Sequence, residues 1–127
     1  MNKLALAALA ATMIGGMSAT AMAESAVAVP VTEAQATRGQ SAYAVSCGGC
    51  HGADMLDIFK GYATAEKYYL FMSGSMPADN PGGLEQSTYI DILAYLLHAS
   101  GAPAGDAELT LDRKLFAQIV PGELAGE

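Results

Sequence analysis

Past an apolar N-terminal stretch, hydrophobic positions along this chain recur at intervals of three and four, the period of a helix. No segment has the two-residue period of a strand, and no internal repeat appears. The clearest pattern opens at Glu85 or Ser87 and runs to about Ala99. Tyr89, Ile92, Leu93 and Leu96 make its core stripe, with Ile90 and Leu97 alongside. Gly101 fits the position just past a helix end, and Pro103 the stop beyond it. Upstream, Thr32-Glu33-Ala34-Gln35 has the form of a capping box, with Glu33 favourably placed at the positive helix end. It predicts a helix from Glu33 to about Ser46, whose Ala36, Gly39, Tyr43 and Ser46 share one face. Gly39 in mid-helix costs roughly 1 kcal/mol relative to alanine, a cost that close approach by another helix would offset.

Between these two, Ala53 to Gly61 reads as a short connector. Thr64 then caps a helix from Ala65 to about Ser73, with Tyr69, Met72 and Ser73 on one face and Tyr68 and Phe71 flanking it. Gly74 and Pro77 end it, and Ala78 to Gly83 is rich in turn residues. After Gly105, Leu109, Leu111, Leu115 and Ile119 are spaced as a tail that lies back over the body. The expected fold class is all-α.

The N-terminal apolar stretch is not part of that pattern. Lys3, the apolar run Leu4 to Ile14 and Ala21-Met22-Ala23 have the three parts of a secretory signal peptide, Met1 to Ala23, with Glu24 starting the mature chain. The alternative, a membrane anchor, fits less well, because the second half of the run is small residues ending in a cleavage site. Removing 23 of 127 residues leaves 104, Glu24 to Glu127, one small domain with no later segment able to span a membrane. The 52% hydrophobic content is inflated by the leader. The mature part carries five Lys plus Arg against thirteen acids, a net charge of −8. Nucleic acid is thereby an unsuitable partner, since phosphate binding needs a basic surface. A basic patch on a protein partner is the natural complement.

The chemistry is concentrated in Cys47-Gly48-Gly49-Cys50-His51. C-x-x-C-H is the attachment pattern of a c-type haem. The two thiols add across the haem vinyl groups, the glycines ease the turn between them, and His51 turns its imidazole to the iron. A thioredoxin-like C-x-x-C would sit near a βαβ pattern, which is absent here. A structural zinc site needs four ligands, and Cys47, Cys50, His51 and the distant His98 lack finger spacing. A plain disulfide leaves the adjacent His51 unexplained.

A second axial ligand is sought among Met55, Met72 and Met76, since Met/His ligation suits electron transfer. Met55 is only four residues past His51 and is badly placed for the opposite face. Met72 lies within a helix, where packing is the commoner role of methionine. Met76 sits on a loop end before Pro77, which holds it extended, and is the favoured ligand with Met72 its rival. His98, the bis-histidine alternative, is accounted for as a helix-terminal residue favoured by the dipole.

Gly39-x-x-x-Tyr43, Cys47-Gly-Gly-Cys50-His51-Gly52, Met76-Pro77 and Tyr89 to Leu97 together resemble a class I cytochrome c. The stretch Met76 to Leu84, with Tyr89 to Leu97 and Gly101 to Gly105, is more particularly similar to small cytochromes c associated with quinoprotein (PQQ-dependent) alcohol dehydrogenases. The likeness spans roughly Thr37 to Ile119. It implies a helical bundle around one haem c held through Cys47 and Cys50 and ligated by His51 and Met76, with the first and last helices crossing at Gly39 near Tyr95. It further implies a periplasmic one-electron carrier, not itself an enzyme, that takes electrons from a quinoprotein dehydrogenase and passes them to a terminal oxidase or another cytochrome. A free shuttle and an obligate dehydrogenase subunit both satisfy it. A haem enzyme or small-ligand sensor with an open sixth site is the alternative.

Two departures from the family stand out. Only 24 residues separate His51 from Met76, and none is proline, whereas many relatives use a proline carbonyl there to orient the proximal imidazole. The shorter interval makes Lys60, Tyr62, Lys67, Tyr68 and Tyr69 candidate neighbours of the haem propionates, with ordinary packing an equal alternative.

Overall fold

The computed structural model describes residues 27–124; the expected leader, Met1 to Ala23, and its cleavage site lie outside the described residues. Among these residues the fold is all-helical, with no strand: α1 (Glu33–Ser46), α2 (Met55–Lys60), α3 (Ala65–Ser75), α4 (Gln86–Ala99) and α5 (Arg113–Phe116), then a 3-10 turn at Pro121–Glu123. None of these helices is long and apolar enough to cross a membrane.

The scaffold is the crossing of α1 on α4, and its reason is Gly39. A Cβ added there would overlap the Asp91 carbonyl oxygen and come within 2.8 Å of the Tyr95 Cβ. The two backbones therefore meet where the sequence provides no side chain. α4 supplies the apolar mass: Tyr89, Ile90, Ile92, Leu93, Ala94, Leu96 and Leu97 are all buried. Each such large side chain, fully buried, stabilises by about 1.5–3 kcal/mol. α4 ends as expected, with Gly101 at φ 121°. Its amide donates to the His98 carbonyl, and the Ala102 amide donates to that of Leu97. This is a Schellman ending, which satisfies carbonyls the helix would otherwise leave free.

The capping box at Thr32 forms only by half. Thr32 Oγ1 accepts from the Gln35 amide at 3.0 Å. The Gln35 side chain does not return to Thr32 but clamps the C-terminal tail. Its Nε2 donates to the Leu109 carbonyl at 2.8 Å and its Oε1 accepts from the Leu109 amide at 2.7 Å. A buried backbone pair is worth more to an amide side chain than one exposed helix-end donor. Arg38 continues the clamp, bridging Asp91 at 3.0 Å and Glu108 at 2.9 Å. The Arg38 guanidinium holds the Glu108 carboxyl below its ordinary range.

The tail then lies over the other helices. The Gly105 amide donates to the Val31 carbonyl, and the Ala65 amide, in the unpaired first turn of α3, donates to Ile119 at 2.9 Å. Phe116 is fully buried and meets Tyr69 edge-on at 5.5 Å. Of the four residues spaced along the tail, Leu109 and Ile119 are buried, Leu115 is half-buried and Leu111 is exposed. Phe116 takes the place of the last two because α5, capped by Asp112 Oδ1 on the Lys114 and Leu115 amides, rotates it inward.

Two element boundaries depart from the sequence reading. Ala53 to Gly61 is not a bare connector: α2 occupies Met55–Lys60, with Met55 and Phe59 buried one turn apart. Six residues are too few to display a helical period, so only packing reveals it. α3 continues through Gly74 to Ser75, two residues beyond the expected end. A Cβ at Gly74 would meet nothing within 4 Å, so that glycine neither breaks the helix nor is required by it.

Candidate functional site

The motif is a direct continuation of α1. The Cys47 and Gly48 amides donate to the Tyr43 carbonyl at 2.8 and 2.9 Å, finishing the helix. The Cys50 and His51 amides then turn back onto the Cys47 carbonyl at 3.0 and 2.9 Å. Five residues thus form one turn that presents two sulfurs and an imidazole together. The expected ease given by both glycines needs correcting. Neither has positive φ, and a Cβ at Gly49 would meet open space. Gly48 is the constrained one, because a Cβ there would lie 2.9 Å from the Ala44 carbonyl oxygen. Both cysteines are free thiols, Cys47 half-buried and Cys50 exposed. Burial pushes the Cys47 thiol pKa up.

These side chains open onto a cavity of about 570 Å³. Cys47, Cys50 and His51 form one part of its lining, and Met72, Met76, Pro77 and Asp79 another. The rest is mainly apolar and aromatic, from Val45, Met55, Ile58 and Phe71 to Tyr43, Tyr62 and Tyr68. The aromatic wall is built edge to face, Phe59 on Tyr68 at 4.8 Å and Tyr68 on Tyr62 at 5.0 Å. Burial raises the Tyr68 phenol pKa above its ordinary value. The Tyr43 hydroxyl is buried with no hydrogen-bond partner among the described residues.

All three methionines weighed as ligands line this cavity, Met55 included. They differ in attachment. Met55 and Met72 are helical and belong to the buried core, whereas Met76 is only partly buried and packs against it. Met76 caps α3 with extended backbone, φ −120° and ψ 154°, as the following proline predicts. His98 does not line the cavity. Its Nδ1 lies 2.8 Å from the Ala102 carbonyl and its Nε2 3.6 Å from Glu33, which accounts for it at the end of α4.

Of the five residues named as propionate neighbours, Tyr62 and Tyr68 line the cavity, while Lys60, Lys67 and Tyr69 do not. Tyr69 faces the opposite way, into Phe116. Val45, Ile58 and Phe71 are lining residues that sequence reasoning missed. Val45 looks misplaced on a helix face, being 87% exposed, and only the cavity beside it gives an apolar side chain there a context.

The donor set fits a covalently held haem. It combines two free thiols in one turn, an adjacent imidazole, a thioether from a separate segment, and apolar walls carrying buried phenols. It does not fit zinc: among the described residues no three His, Cys, Asp or Glu side chains converge as a metal ion requires. Compared with protein-family models, curated proteins and solved structures, the chain gives no significant match.

Proposed function

We propose that this protein is a periplasmic one-electron carrier of the class I cytochrome c kind, exported by a leader at Met1 to Ala23. The observation that carries the reading is that Cys47, Cys50, His51 and Met76, from two separate segments, line one apolar cavity. Cys47 and Cys50 would hold the haem by thioether bonds, and His51 and Met76 would ligate its iron. The haem, when bound, supplies the one-electron couple of its iron. The chain supplies the rest. The apolar wall would limit the access of water to the iron, and Tyr62 and Tyr68, which line the cavity, would be the phenols nearest to serve as donors to propionate oxygens. The acidic surface, −8 over Glu24 to Glu127, suits a basic docking patch on a partner. By resemblance the donor is a quinoprotein dehydrogenase and the acceptor a terminal oxidase or another cytochrome.

The test is the ferric optical spectrum of the exported protein, produced with haem-maturation machinery, beside that of Met76→Ala. A weak far-red methionine-to-iron band, present in wild type and lost in the variant, is the expected result. A wild-type protein that lacks the band and binds carbon monoxide readily when reduced has an open sixth site. That outcome replaces the carrier with a ligand-binding or catalytic haem protein.

A further inference from the structure

Tyr89 lies on α4, 3% exposed, and does not line the cavity, yet its hydroxyl is the shortest side-chain hydrogen bond made to the Met76 segment. Tyr89 Oη donates to the Met76 carbonyl at 2.6 Å and accepts from the Leu84 amide at 3.3 Å. The same carbonyl accepts from the Gly82 amide at 3.2 Å, and the Met76 amide donates to the Met72 carbonyl at 3.0 Å. The peptide groups on both sides of the Met76 Cα are therefore tied, one to α3, the other to the far end of its own loop and to α4. Gly82, at φ 70°, has the left-handed backbone that lets the loop return.

The geometry points to Tyr89 as a positioning residue for Met76: its phenol bolts the ligand loop to α4 and so keeps the Met76 thioether on the cavity. α4 is the suitable anchor, because it is the helix locked against α1 at Gly39. A hydrogen bond at each end of the loop, Met76 and Leu84, passes through one oxygen atom. Loss of that atom removes the tie to α4 at both ends, leaving Met76 held only by Met72 and Gly82, while the buried ring stays in place. This inference rests on the haem reading, since it concerns how Met76 is held as a ligand.

The test is imidazole titration of the ferric protein, following loss of the far-red methionine band, in wild type, Tyr89→Phe and Tyr95→Phe. Tyr95 is the control: it lies on the same helix and packs on Tyr43 at 5.7 Å. In Tyr89→Phe the half-displacing imidazole concentration should fall roughly two- to tenfold, the range set by the net worth of the short bond to the Met76 carbonyl, the longer one to Leu84 adding little. Tyr95→Phe should titrate as wild type does. A Tyr89→Phe midpoint equal to that of wild type overturns the inference, even if its unfolding temperature drops, because Tyr89 is then a structural residue only. Equal shifts in both variants overturn it too, as a general loosening of α4. A wild-type protein without the far-red band removes the haem reading and this inference together; a band with equal midpoints removes this inference alone.

Discussion

The two ends of α1 are held in opposite ways. At its N-terminal half, Gln35, Arg38 and Gly39 meet α4 and the tail through paired hydrogen bonds, ion bridges and direct backbone contact. At its C-terminal end, Val45 is exposed, Cys50 is exposed, and the Tyr43 hydroxyl has no partner among the described residues. The first region completes its own interactions. The second leaves apolar surface, two thiols and a phenol open on the cavity. On the proposed haem reading, one helix thus serves as scaffold at one end and as mount at the other, and stability and function are separable along its length.

That separation predicts a graded response to substitution. The largest effect is expected at Gly39→Val, where the new side chain must push apart two helix backbones. Overpacking of this kind costs about 1–3 kcal/mol and occasionally more, and the upper end is expected where two backbones meet. Urea unfolding would measure it, and a loss below about 1 kcal/mol would show that the crossing is looser than the close approach to Asp91 and Tyr95 implies. Gln35→Ala comes next. It leaves the Leu109 amide and carbonyl buried without partners, for a cost of about 2 kcal/mol. Amide exchange at Leu109 should rise in the same variant; unchanged protection there would mean the tail is held by its apolar contacts instead. The smallest effect is expected at Val45→Ser, within about 0.5 kcal/mol, as for surface positions generally. A clearly larger loss of thermal stability would show that Val45 is covered in the working protein, and would move the boundary between scaffold and mount.

How much of this was legible beforehand follows element length. The bounds of α1 and α4 agree with the sequence reading, because fourteen residues each display a period and carry end signals at Thr32, Glu85 and Gly101. Met76 extended before Pro77 was legible for a local steric reason. α2 was not, since six residues show no period, and with it Ile58 was missed as a cavity residue. Phe116 was overlooked for the same reason: four helical residues of α5 decide which side of the tail turns inward. The five propionate candidates all lie in the short interval between His51 and Met76. Helical rotation divides them, Tyr68 toward the cavity and the adjacent Tyr69 toward Phe116.

The sequence by itself determined the chemistry on offer and the long helices. Covalent reactivity and ligand type reside in single residues, and helical periods and caps are written locally. Tertiary structure alone decided which of these residues meet. Gln35 holds Leu109 rather than its own helix end, and Tyr89 holds Met76 rather than only filling the core. The first joins positions 74 residues apart and the second positions 13 apart, and both are selected by how the helices and the returning loop pack. No local pattern encodes such a choice, because a buried polar group takes the best partner the packed fold provides.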